Sequence, residues 1–132
     1  MIFDAEMVLG NPVLDDTHAE FVELLNRLQD ATDVLPILDE MIAHTAAHFA
    51  LEESWMARIN FPAAGCHVGE HNQVIGVMRM VRKRVAGGDT EFVQVLVTEL
   101  SGWLRIHATT MDYGLTNFIE VKGADVAWAL MI

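Results

Sequence analysis

An all-α fold, specifically an up-down-up-down antiparallel four-helix bundle with a short N-terminal arm and a C-terminal tail, follows from three features of the sequence. Apolar residues recur at three- and four-residue intervals in four successive stretches, the period of an amphipathic helix. Pro12, Pro36, Pro62 and the pair Gly87-Gly88 stand at the ends of those stretches, where helices start and stop. No run alternates apolar and polar residues as a half-buried strand does, and there is no internal repeat or low-complexity segment.

The first helix is expected over about 15–32. Asp15-Asp16 and the capping-box pattern Thr17-x-x-Glu20 mark its start, and His18, Phe21, Val22, Leu25 and Leu28 form its stripe. The second, about 36–60, opens on Pro36 and ends before Pro62; its stripe is Ile37, Met41, His44, His48, Glu52, Trp55 and Ile59. The third, about 63–86, carries His67, His71, Val74, Met78, Val81 and Val85, and stops at Gly87-Gly88. Asp89 is expected to cap the fourth, about 89–112, whose inward stripe is Val93, Leu96, Leu100, Trp103, Leu104, His107 and Met111. Helices of this length span roughly 35 Å, and the short links between them make neighbours antiparallel. The tail, 113–132, is interrupted by Gly114 and Gly123 but apolar from Val126 onward. It is expected to pack on its own bundle, with a dimer interface or docking surface as the alternative.

At 132 residues the chain is expected to form one domain, 1–132, large enough to bury a core. Its formal charge of −11 argues against nucleic acid and anionic membranes, which need clustered Lys and Arg. The one basic cluster, Arg79, Arg82, Lys83 and Arg84, reads as a solvated face near a helix C-terminus. A single cysteine rules out an intramolecular disulfide. Met1 to Glu6 lacks the basic and apolar regions of a secretion signal, and no segment is long enough to cross a bilayer. A cytoplasmic protein is the expectation.

Five of the six histidines fall into a spaced set with two carboxylates: His18, His48-x-x-x-Glu52, His67-x-x-x-His71 and His107-x-x-x-x-Asp112. Residues four apart share a helix face, so each such pair can aim at one ion. Imidazoles suit iron, zinc and copper, and carboxylates can bridge two metals, which favours a binuclear iron centre over calcium or magnesium. His107 and Asp112 are awkward, because five residues of ideal helix set them about 140° apart. A widened, π-like turn would close that offset, and such turns often mark functional sites. A blander Asp112 would cap a helix ending beside Gly114. Cys66 points about 100° off the His67 face and reads as a buried small hydrophobe. Glu53, about 100° round from Glu52, is expected to face solvent or a partner helix. His44 is the surplus histidine, read first as a satisfied bundle residue, then as a partner behind a ligand, and last as a ligand. Met41, Met56, Met78, Met80 and Met111 read mostly as gap-filling core.

With these segments placed, the chain resembles the hemerythrins, and most closely the single-domain bacteriohemerythrins. The resemblance rests on Leu14-Asp15-Asp16-Thr17-His18, on His48 through Glu52-Glu53-Ser54-Trp55-Met56, on His67-Val68-Gly69-Glu70-His71, and on Trp103-Leu104-Arg105-Ile106-His107 followed by Asp112. It implies that His67, His71 and His107 bind one iron and His18 and His48 the other. Glu52, Asp112 and a solvent-derived oxo or hydroxo group would bridge them. One iron is then saturated and the other keeps an open position for O₂, in a dry pocket to which Phe49, Trp103 and Leu104 contribute. The implied function is reversible O₂ binding for storage, delivery or buffering, with no catalysis. Two alternatives remain: a di-iron redox enzyme acting on O₂, peroxide or nitric oxide, and an oxygen-sensing module working through a partner. A structural zinc bundle is the bland alternative.

Overall fold

The computed structural model describes residues 1–122. The described chain is helical, with no strand: α1 (Pro12–Asp30), α2 (Val34–Arg58), α3 (Ala64–Ala86), α4 (Val93–His107) and α5 (Tyr113–Lys122), preceded by a 3₁₀ turn at Ala5–Met7. Between α4 and α5 the chain does not break. Ala108–Asp112 forms a π-helical segment and the helix runs on through Gly114, so Asp112 does not cap a helix end. The fourth bundle helix is therefore α4, the π segment and α5 together. None of the described helices is long and apolar enough to cross a membrane.

The helix ends differ from the sequence expectation for local reasons. Asn11, not Thr17, caps α1: its Oδ1 accepts from the Val13 and Leu14 amides, and Pro12 occupies the first turn. Thr17 lies inside the helix, where its hydroxyl donates to the Val13 carbonyl at 2.7 Å. Asp15 faces backward and accepts from the Leu9 and Gly10 amides at 2.8 and 3.1 Å, fastening the arm to α1. The second helix begins two residues before Pro36 and ends at Arg58, ahead of Asn60 in the left-handed region (φ 52°). Gly88 (φ 94°) reverses the chain after α3, as only glycine does freely. Asp89 accepts from the Glu91 amide but caps only a turn, and α4 begins at Val93.

Two apolar layers result. The larger gathers Phe21, Leu25 and Leu28 of α1 with Leu38 and Met41, Met78 and Val81, and Leu96 and Leu100. Met7 of the arm is also buried in it. The smaller is Leu14, Trp55, Met56, Leu115 and Ile119. In every bundle helix the histidine or carboxylate of the spaced set falls between residues of one layer and residues of the other. Met80 is exposed, unlike Met41, Met56 and Met78. Cys66 is also exposed, contrary to expectation. The notion of a docking tail falls largely on 123–132, outside the described residues.

Candidate metal centre

The four bundle helices deliver His18, His48, Glu52, His67, His71, His107 and Asp112 to the layer between the two apolar clusters, each buried. On α2 and α3 the delivery is plain four-residue spacing. On the fourth helix it is the π segment that turns Asp112 toward the side His107 faces: Asp112 Oδ1 lies 3.1 Å from His107 Nε2.

Each carboxylate divides its two oxygens between two sets of imidazoles. Asp112 Oδ1 lies 2.9 Å from His67 Nε2 and its Oδ2 lies 2.8 Å from His18 Nε2. Glu52 Oε1 lies 3.2 Å from His67 Nε2 and 3.9 Å from His71 Nε2, while its Oε2 contacts His48 Nε2. Two groups of ligand atoms follow, Glu52, His67, His71, His107 and Asp112 in one and His18, His48, Glu52 and Asp112 in the other, each within a 4.8 Å span. The carboxylates are common to both.

These atoms do not satisfy one another. Both oxygens of Glu52, both oxygens of Asp112 and His18 Nε2 are buried and make no aligned hydrogen bond, although oppositely charged atoms stand beside them. In the larger group His67 and His71 each bring Nε2 within 3.1 and 3.2 Å of His107 Nε2. Imidazole lone pairs converging on one point, with two buried carboxylates behind them, need a cation. Protons would serve poorly. Burial disfavours charge on His67, yet the adjoining Asp112 and Glu52 push its pKa up to about 9. Burial, with His67 and His107 as cationic neighbours, drives His71 down to about 3. Burial opposes the charge of Asp112 as well, but His107, His18 and His67 hold it well below the carboxylate range. The donor set fits two divalent transition ions, and no thiolate is present to favour zinc or a cluster.

Behind the imidazoles lie groups that the spaced set did not include. Glu70 Oε1 stands 2.9 Å from His107 Nδ1, and Glu53 Oε2 stands 3.2 Å from His71 Nδ1. A carboxylate can only accept, so each Nδ1 there carries the proton and each Nε2 is left free as a lone-pair donor. Glu53 thus does face a partner helix, with an imidazole at its end, and burial with Glu52 nearby raises its pKa. Glu70 was legible in principle, since it follows His67 by three residues and so flanks the same stripe. His44 is outside both groups and lies 2.7 Å from Glu20 Oε2. Phe49 stacks on His71 with ring centroids 3.7 Å apart, and Trp103 stacks on His107 at 4.4 Å. Leu104 is buried in the same apolar layer as Phe49.

Comparison with known proteins agrees with this geometry. Residues 9–119 match the family model "Hemerythrin HHE cation binding domain". The chain is 42% identical over 119 residues to a bacteriohemerythrin of Ralstonia nicotianae, covering 89% of this chain and 87% of the relative. Similarity extends to bacteriohemerythrins of Stenotrophomonas maltophilia, 28% identical over 91% of this chain and 82% of that one, and of Aquifex aeolicus, 28% identical over 79% and 86%. With all four helices of the centre inside the matched span, this chain belongs to the hemerythrin family.

Proposed function

We propose that this protein, as one domain, binds dioxygen reversibly at a non-haem di-iron centre, storing, delivering or buffering it, and does not act as an enzyme. The observation that carries the reading is the unequal division of imidazoles around two shared carboxylates, three on one side and two on the other. His67, His71 and His107 would hold one iron, and His18 and His48 the other. Glu52 and Asp112 would bridge them together with a solvent-derived oxo or hydroxo group. The three-imidazole iron would then be saturated and its neighbour one ligand short, leaving a place for O₂. When bound, the iron pair supplies the electrons that a dioxygen ligand takes up and gives back.

The rest falls to the protein. Glu52 and Asp112, fully buried, fix the separation of the two ions. Phe49 and Leu104 are buried in the apolar layer on one side, and Trp103 lies over His107; together they would keep water and anions from the open position. Di-iron oxygenases draw on about four glutamates. Here only two carboxylates belong to the centre, and Glu53 and Glu70 are turned to the Nδ1 atoms behind it. Fewer anionic donors make high-valent iron harder to stabilise, which favours reversible binding over substrate oxidation. The lone cysteine and the lack of a membrane-crossing helix among the described residues support a cytoplasmic setting.

The test is iron content together with the visible spectrum of protein reduced anaerobically, exposed to O₂ and returned to an inert atmosphere. Two irons and a colour that comes and goes are expected. Prompt irreversible oxidation would favour the redox-enzyme reading, and zinc or no metal would overturn the assignment.

A further inference from the structure

The two halves of the centre are supported unequally. Behind the three-imidazole half stand two carboxylates, Glu70 on His107 Nδ1 at 2.9 Å and Glu53 on His71 Nδ1 at 3.2 Å. Behind the two-imidazole half there is nothing of the kind: His18 Nδ1 and His48 Nδ1 are buried and have no hydrogen-bond partner. A carboxylate accepting from Nδ1–H pushes electron density through the ring, makes Nε2 a stronger donor and stabilises the higher oxidation state of the metal it holds.

We infer that Glu53 and Glu70 are positioning residues that set the order in which the two irons lose electrons, making the three-imidazole iron ferric first and leaving the two-imidazole iron ferrous. The inference rests on the di-iron reading above. Its value to the protein is a division of labour: the saturated iron, which cannot bind an outside ligand, becomes the readier electron donor, and the iron with the open position stays in the state that binds O₂. Neither carboxylate reaches the metals, so the effect is electrostatic and travels through the imidazole rings. Both glutamates are also about one-third exposed, so their charge can be removed without opening the core.

Ferricyanide provides the test, taking one electron from the diferrous pair and becoming ferrocyanide while one iron passes from ferrous to ferric. Glu53→Gln and Glu70→Gln keep an oxygen to accept the Nδ1 proton but carry no charge. Each should still bind two irons, and each should make the first one-electron oxidation about tenfold less favourable, 59 mV for a one-electron couple. Glu20→Gln removes the same kind of charge from His44, outside the centre, and should leave that step unchanged. Two-iron Gln variants oxidising at the wild-type potential would overturn the inference, as would an equal shift in the Glu20 control. A second measurement needs no variant. Wild-type protein oxidised by one electron should bind nitric oxide, a ligand of ferrous iron, at the open position and should not bind azide, which prefers ferric iron; azide uptake overturns the inference. Wild-type protein without two irons would instead overturn the di-iron reading, and metal analysis alone distinguishes that failure.

Discussion

The two apolar layers that enclose the buried polar layer differ in what they could do alone. The larger holds eighteen buried side chains from the arm and all four bundle helices, among them Leu25, Leu28, Leu38, Met41 and Met78 at 1% exposure or less. The smaller holds five, Leu14, Trp55, Met56, Leu115 and Ile119. Eighteen side chains make a core that can hold helices together by burial. Five do not, so the Trp55 and α5 end of the bundle depends on whatever joins the helices just beside it, which is the cluster of histidines and carboxylates. The difference teaches that the candidate centre is also structural, and that its contribution falls on one end of the molecule.

The largest test of that contrast is removal of a shared carboxylate. Asp112→Ala should take iron from two per chain to fewer than one, because both ions lose a ligand together; full loading measured by metal analysis would remove Asp112 from the bridge. The next compares the layers directly. Leu25→Ala should cost about 3 kcal/mol of unfolding free energy whether or not metal is bound. Leu115→Ala should cost a similar amount in the loaded protein, but chelation alone should already speed amide exchange across Leu115–Ile119 while 21–28 stays protected. Equal protection at both ends after chelation would erase the contrast.

Protons test it more gently. In metal-free protein His67 is raised to about 9 and His71 lowered to about 3. A raised histidine stabilises fully below its unfolded value of 6.5 and loses that contribution as pH climbs toward 9. A lowered one costs nothing above 6.5 and destabilises progressively as pH falls toward 3. Metal-free stability should therefore peak near pH 6.5 and decline on both sides, whereas bound metal should abolish the decline on the alkaline side by displacing the His67 proton. Chemical denaturation across that range, with and without iron, measures it. The smallest effect belongs to the arm. Asp4 is paired with Arg105 at 2.9 Å, which holds its carboxyl below the usual range. Asp4→Asn should shift the unfolding midpoint barely at neutral pH, and the difference should vanish as acid protonates Asp4 in both folded and unfolded protein.

Much of this was legible in the sequence because helical period and ligand spacing are the same signal. His48 with Glu52 and His67 with His71 could be placed on one face by counting, and the five-residue gap from His107 to Asp112 pointed to the π turn that Ala108–Asp112 adopts. What counting could not give were contacts between helices. Glu53 lies on a flank of its own helix, and nothing local says that His71 of α3 waits there. Cap strength misled as well: Thr17-x-x-Glu20 has the right letters, but Asn11 followed by Pro12 offers an earlier oxygen and a preset φ, and the helix starts where the first good cap stands. Cys66 was assigned inward on residue type alone, whereas its place on α3 is set by His67, whose inward aim turns its neighbour out.

The π segment also bears on how such a protein can change over generations. A single-codon deletion within 108–111 would leave His107 and its aspartate four residues apart, a spacing that an ordinary α-helix already brings to one face. Ligand spacing alone would survive. Everything after the deletion, however, would turn by about 100° relative to the bundle, carrying Leu115 and Ile119 off the small apolar layer. The extra residue therefore keeps two phases compatible, one for the aspartate and one for the helix that follows. Point substitutions along 108–111, where Thr109 and Thr110 are exposed, should accumulate freely in descendants, while changes of length there should be purged.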